Sequence, residues 1–379
     1  MNLKELNELR RRWRPDKSAV SRIYGCYVNV AKEIVSDLDE PLGCLPQEEQ
    51  EKYLSLLKKA LSGTFGRNLI DIVFSTQQVT DSDEHRMLMK LRSSGLKDRQ
   101  TRQEFYQKVI ESLDMGDSSY LLLLAHDSYD VPRRSKNGEL DADASDAVFS
   151  YLVCAVCPVK EVRTELGYFP GDNEFHCASG QSVGAPDLGF LFPAFDDRSA
   201  NIYHALFYSR KAGELHQEFI DAVFHTEPPM SAVEQKEAFQ SALAQGLENA
   251  CTLSVMQAIH ERLTVKINEH KECKDQEPLS ISVQDLCAIL ADCGVEEVRI
   301  NAFRKVCADR FGENAALNPA NLIDAGKVEL KTEQVSVTVK PDSSYLLESG
   351  VLDGRRVLVI PVESSVEFNG FPVPVNSEN

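Results

Sequence analysis

His126, Asp127 and Asp130 close the apolar run at residues 120–125, and upstream Asp81, Asp83, Glu84 and His85 gather further oxygen and nitrogen ligands. An oxygen-rich set of this kind suits magnesium or manganese, and with it phosphoester chemistry. His126, Asp127 and Asp130 are therefore the metal candidates. Asp81 and Glu84 have the spacing of a helix capping box, which explains them without metal. The upstream cluster is no calcium loop, because Arg86 stands where the loop needs glycine and Arg92 where it needs glutamate. Cys154 and Cys157 form a lone C-x-x-C; zinc would need two further ligands, which His176 and Cys177 supply on paper. Alternation along a strand would turn the two thiols to opposite faces, so packing cysteines are expected. Gly180-Gln-Ser182-Val-Gly184 spells the nucleophile-elbow pattern, but Pro186 and Gly189 leave no room for the helix that an elbow requires. A glycine-rich loop is expected there. Residues 62–67 lack the lysine and hydroxyl of a phosphate loop and read as a helix cap and turn. No motif specifies a reaction, a catalytic residue or a cofactor.

Two stretches suit binding instead. Arg10, Arg11, Arg12, Arg14, Lys17 and Arg22, with Lys4, set seven cations against Glu5, Glu8 and Asp16 in the first 25 residues. The chain as a whole carries a formal net charge of −18, which repels nucleic acid and anionic membrane. Local cation density is how such a chain could still meet a phosphate backbone, so these six residues are the nucleic-acid candidates. Their alternative is pairing with the chain's own plentiful carboxylates. Phe192, Phe195, Asp196, Asp197 and Arg198 lie on a connector whose aromatic and charged residues suit a protein partner. Asp197 or Ser199 would equally serve as the cap of a following helix. His204, His216 and His225 fall along that helix without the spacing of a metal pair.

The elements that must position these residues follow from periodicity and punctuation. Helices are expected at residues 2–14, 47–62, 81–94 and 98–113. A hairpin is expected at 22–38, a buried strand at 68–75, and strands at 120–126 and 148–159 around a polar loop or hairpin tip at 127–144. Residues 199–271 read as helical, with a first helix broken by Pro228-Pro229 and two more at 232–249 and 253–270. A charged linker follows at 273–278, then helices at 283–293 and 296–311. From Lys327 the period switches to two, with Asp353-Gly354 and Asn369-Gly370 as turns and a frayed end at 372–379. The expected fold class is α+β: a mixed α/β region with a mainly antiparallel sheet and the basic N-terminal arm at 1–195, a helical region at 196–272, and C-terminal helices with a small antiparallel β unit at 279–371.

With 379 residues, 42% hydrophobic and 26% charged, the chain can bury real cores and is not wholesale disordered. No stretch approaches the roughly 18 apolar residues of a membrane helix. The N-terminal residues lack a signal peptide's apolar segment, and the ten cysteines read as reduced thiols, so a cytoplasmic place is expected.

The stretches ELRRRWRPDKSAVSRIYGCYVN, KYLSLLKKALSGTFGRNLIDIVFSTQQV, DSDEHRMLMKLR, YLLLLAHDSYDVP and LGFLFPAFDDRSANIYHALFY resemble an uncharacterised bacterial family, domain of unknown function 4317, over nearly the whole chain. That resemblance implies no activity. In its order of elements from Tyr120 onward the chain is also similar to the 37-kilodalton nucleoid-associated (NdpA-type) family. That likeness lies in a strand ending in a histidine, an acidic loop into a long helix, and a small C-terminal β unit. It implies nucleoid association, through DNA or through a protein partner such as a type II topoisomerase. The leading expectation is thus a non-enzymatic binding protein. A protein–protein adaptor without nucleic-acid contact and a metal-dependent phosphoesterase are the alternatives.

Overall fold

A strand buried on both faces reads as a near-continuous apolar run, and residues 151–157 are one. The computed structural model describes residues 1–134, 140–171, 173–273, 278–362 and 366–373; inside the long strands, the side chains of 133–134, 140–147, 162–165, 169, 176 and 178–179 are left undescribed. The chain divides into two units, Met1–Val233 and Glu234–Asp275 with Leu279–Asn379.

The first unit begins with α1 (Leu3–Arg12), the hairpin β1 (Arg22–Val28) and β2 (Ile34–Pro41), α2 (Gln47–Lys59) and β3 (Leu69–Val73). The helices α3 (Thr76–Asp81), α4 (Asp83–Ser93) and α5 (Arg99–Ser112) follow. Next come β4 (Ser119–Arg134), β5 (Leu140–Phe169), β6 (Glu174–Val183), β7 (Leu188–Phe192), β8 (Ala194–Asp196), β9 (Ser199–Asn201), β10 (His204–Ser209) and α6 (Gln217–Phe224). An eight-stranded sheet runs β2-β1-β4-β5-β7-β10-β3, with β6 also on β5, and every pairing in it is antiparallel. The fold is α+β.

Alternation gives this sheet two cores. Leu122, Leu124, Leu152, Cys154, Val156, Phe190 and Phe207 face α4, α5 and α6. Leu123, Ala125, Tyr151, Val153, Ala155, Leu191 and Leu206 face α1 and α2. Gly189 permits the second contact: a Cβ there would lie 2.8 Å from Ala60 Cβ, just past the end of α2, and 2.4 Å from the Cys154 carbonyl oxygen.

Several elements differ from the sequence reading. Residues 199–209 form β9 and β10, not a helix, and β10 is an inner strand of the sheet. The apolar spacing of Ile202 and Leu206 fits a helix, but cross-strand partners such as Phe207 opposite Phe190 and Ile70 decide the outcome. His204 therefore lies on a strand, while His216 and His225 flank α6 in left-handed backbone conformation. β4 continues to Arg134 and β5 starts at Leu140, so much of the expected loop at 127–144 is paired strand; residues 135–139 lie outside the described residues. The cap of α4 is Ser82, which accepts the His85 amide, and Asp81 ends α3. Gly180–Gly184 is not a loop in its first part: Ser182 sits in β6 opposite Lys160.

The second unit holds α7 (Ala232–Leu247), α8 (Leu253–Cys273), β11 (Ile281–Ser282), α9 (Val283–Asp292), α10 (Glu297–Phe311), β12 (Ala316–Leu317) and α11 (Pro319–Leu322). Three hairpins complete it: β13 (Val328–Lys331) with β14 (Ser336–Val339), β15 (Glu348–Leu352) with β16 (Arg355–Val359), and β17 (Val366–Phe368) with β18 (Phe371–Val373). Its core joins Phe239, Leu243 and Leu247 to Ile259, Leu263, Leu286, Leu290, Phe303 and Leu322. Gly246 lets α7 approach α10, since a Cβ there would stand 2.4 Å from Phe303 Cα. Asp353-Gly354 and Asn369-Gly370 take positive φ in pairs, as two-residue hairpin turns require. Gln257 of α8 ties the segment before β15 down, donating to the Ser344 and Leu347 carbonyls at 2.6 and 2.9 Å. Residues 274–277 of the expected linker and 374–379 of the expected frayed end lie outside the described residues.

Candidate functional sites

Asp127 is 1% exposed, and such a carboxylate needs partners for its oxygens. It has them: the Tyr151 hydroxyl donates at 2.7 Å, the Ala19 amide at 3.0 Å, and Arg12 Nε lies 3.4 Å away. Arg12 also donates to the Ser128 carbonyl at 3.1 Å, and its guanidinium sits 4.2 Å from the centre of the Tyr129 ring. The Tyr129 hydroxyl donates to Glu8, whose carboxylate also takes Arg198 at 3.0 Å. Burial first, then the bond to Glu8, pushes the Tyr129 phenol up to about 12. This network fastens α1 to the sheet beside Trp13, which meets Tyr151 edge-on.

His126 points the other way. Alternation places it on the opposite face of β4 from Asp127, where Nε2 lies 2.8 Å from Ser150 Oγ. Burial lowers its pKa; Asp127 works against this, while Arg92 and Lys97 add to it. Asp130 is exposed on the His126 face, but about 13 Å along the strand at 3.3 Å per residue. The three proposed metal candidates therefore do not converge. The Ser150–His126 pair also lacks a third group: among the described residues no carboxylate hydrogen-bonds the other ring nitrogen, as a triad needs.

The upstream acids are dispersed as well. Asp83 pairs with Arg86 and Glu84 with Lys108 at 2.6 Å, while buried His85 bonds the Ile202 carbonyl at 2.9 Å. Cys154 and Cys157 are both buried and belong to opposite cores, as alternation required. Burial pushes the Cys157 thiol up to about 12 and raises the Cys154 thiol well above its ordinary value. Cys177 is exposed on β6, and the His176 side chain lies outside the described residues.

The six basic candidates separate into two sets. Arg10 donates to the Leu61 carbonyl at 2.6 Å and the Gly63 carbonyl at 3.3 Å, Arg12 joins the Asp127 network, and Arg22 pairs with Asp39 at 2.6 Å. Arg11, Arg14 and Lys17 are exposed, and their side chains have no hydrogen bond or ion pair among the described residues. Because α1 packs its Leu6 and Leu9 into a core, these cations sit on a folded surface and not on a free arm.

The connector residues are also divided. Phe192 and Phe195 are fully buried, so neither offers the exposed aromatic surface that was expected. Asp197 and Arg198 form the positive-φ turn between β8 and β9, and no helix follows for Asp197 or Ser199 to cap. Asp196 accepts from Asn201 at 3.0 Å.

A different feature has the shape of a ligand site. In the second unit a cavity of about 690 Å³ opens against α7, α8, α11, β13 and Leu358. Lys236, Phe239, Gln240 and Leu243 line it from α7, and Leu253, Met256, Gln257 and His260 from α8. Both sets have the spacing i, i+3, i+4, i+7. In the sequence that spacing reads as core, and only the polar residues mixed into the stripes hint at an open wall. The volume is within the range of small-molecule sites, roughly 300–1,000 Å³.

The family model described as Domain of unknown function (DUF4317) matches residues 1–371. No curated protein matches the chain. Among the described residues no helix is long and apolar enough to cross a membrane.

Proposed function

Since the chain belongs to the DUF4317 family, whose description carries no activity, we propose from its own residues that it acts by binding, with the cavity between α7, α8 and β13 as its ligand site. One observation carries this reading: Phe239, Leu243, Ile259 and Leu322 give the cavity an apolar floor, and Lys236, Gln240 and Thr252 stand on it as polar groups. Apolar walls with a few polar groups are the usual make-up of a ligand pocket. Of the residues that suggested catalysis, Asp83, Glu84, His85, His126 and Asp127 already bond neighbouring side chains or the backbone. The test is titration of the folded protein with Nile red, a neutral apolar dye. Saturable binding is expected, and it should be lost in Gln240→Trp with Met256→Trp, which narrows the cavity from its exposed rim. Linear, non-saturable fluorescence in the unaltered protein would overturn the reading.

A second reading, nucleoid association, is favoured by the exposure of Arg11, Arg14 and Lys17 at the end of α1 and in the segment after it. In this reading the three cations, not all six, meet the phosphate backbone, and the acidic remainder limits contact to a small footprint.

A further inference from the structure

Most polar groups around the cavity are already engaged. Gln257 holds the Ser344 and Leu347 carbonyls, and His260 Nε2 lies 2.9 Å from the Asp324 carbonyl oxygen. The Asp324 carboxylate accepts the Gly326 amide at 2.9 Å within its own turn. Glu329 is flanked by two lysines, Lys327 at 3.3 Å and Lys331 at 2.9 Å, whose hydrogen bonds bring its carboxyl down to about 2. Lys236 differs from all of these: it is exposed, lines the cavity, and has no hydrogen bond or ion pair among the described residues.

We infer that the cavity takes a single-chain amphiphile with an anionic head, the chain lying against Phe239, Leu243, Met256 and Leu330 and the head meeting the Lys236 ammonium. With these groups engaged, what the floor offers is chiefly the apolar surface of Phe239, Leu243, Ile259 and Leu322, which favours hydrocarbon. The unpaired ammonium selects the sign of the head, because an opposite charge there gains an ion pair and a like charge meets repulsion. A carboxylate and a phosphate share this chemistry. The inference rests on the binding reading above and names its ligand class.

The experiment displaces bound Nile red with dodecanoate, dodecyl phosphate, dodecan-1-ol and dodecyltrimethylammonium, each below its micelle-forming concentration. Both anions are expected to displace the dye at about one-fifth of the alcohol's concentration, the gain of an exposed ion pair, with the cation weakest. In Lys236→Met, with displacement referred to that variant's own dye titration, that advantage should disappear. The better of the two anions identifies the head. Equal displacement by alcohol and anions, or an anion advantage that persists in Lys236→Met, overturns the inference and leaves the binding reading standing. Failure of the unaltered protein to bind the dye overturns both.

Discussion

Arg12 and Asp127, 115 residues apart in the chain, meet with Nε 3.4 Å from Oδ2 and join the N-terminal helix to the longest apolar strand pair of the sheet. The carboxylate is the shared acceptor for Arg12, the Tyr151 hydroxyl and the Ala19 amide, so it organises three elements at once. Removing it strands the buried Tyr151 hydroxyl and takes an acceptor from the partly buried Arg12 guanidinium and Ala19 amide. Asp127→Ala is expected to lose about 3 kcal/mol of stability. Trp13, the only tryptophan of the chain, is buried against Tyr151, so its fluorescence during urea unfolding reports the loss directly. Arg11→Ala, on the exposed side of the same helix, should stay within about 0.5 kcal/mol. Equal midpoints for the two variants would mean the network contributes nothing.

Thiol chemistry gives an independent check of the sheet. Cys26, Cys154, Cys157, Cys287 and Cys307 are buried, and burial pushes Cys26, Cys157 and Cys307 up to about 12. Only thiolates react readily with disulfide reagents. Native protein at pH 8 should therefore label fast at Cys44, Cys177 and Cys273, the exposed cysteines, and the buried five only on unfolding. Rapid labelling of Cys154 or Cys157 in the native state would contradict the two-core placement of β5.

How legible all this was depended on whether a residue's fate was local. The helices at 47–59 and 99–112, the hairpin turns at Asp353-Gly354 and Asn369-Gly370, and the opposed faces of Cys154 and Cys157 follow from periodicity and turn chemistry alone. Residues 204–209 do not, because their strand is fixed between Phe190 on one side and Ile70, far off in the chain, on the other. Phe195 looked exposed for a similar reason: its burial depends on Tyr129 and Phe149 from two other strands. The cavity was the least legible feature, since Lys236 and Gln240 interrupt a stripe that otherwise reads as ordinary core.

His126 sets a pH dependence of definite sign. Burial holds its folded pKa below the ordinary value of 6.5, which it regains on unfolding. Below that pH the unfolded chain binds a proton that the folded chain resists, so its contribution is present above 6.5 and is lost as pH falls. His126→Gln should flatten the loss of stability between pH 7.5 and 5.5, measured by urea midpoints. His216 shifts in the same direction and keeps part of the slope. Glu84 and Asp98, both lowered, act only as pH falls below their ordinary values of 4.5 and 3.8, outside this window. Identical slopes for the variant and the unaltered protein would show that His126 titrates normally in the fold.

The basic residues can be tested as two sets because the fold treats them differently. Arg10 and Arg12 bind backbone carbonyls and a buried carboxylate, so Arg10→Ala with Arg12→Ala should lower the melting temperature by several degrees. The exposed side chains of Arg11, Arg14 and Lys17 have no hydrogen bond or ion pair among the described residues, and their triple replacement by Ala should leave the melting temperature unchanged. If the chain meets duplex DNA, the triple variant should lose that affinity. Its log–log salt slope in fluorescence anisotropy should fall by up to about 2.7, at roughly 0.9 per phosphate neutralised. Unaltered binding in the triple variant, or no salt-sensitive binding by the native protein at low ionic strength, would remove nucleic acid from the account and leave the cavity as the binding site.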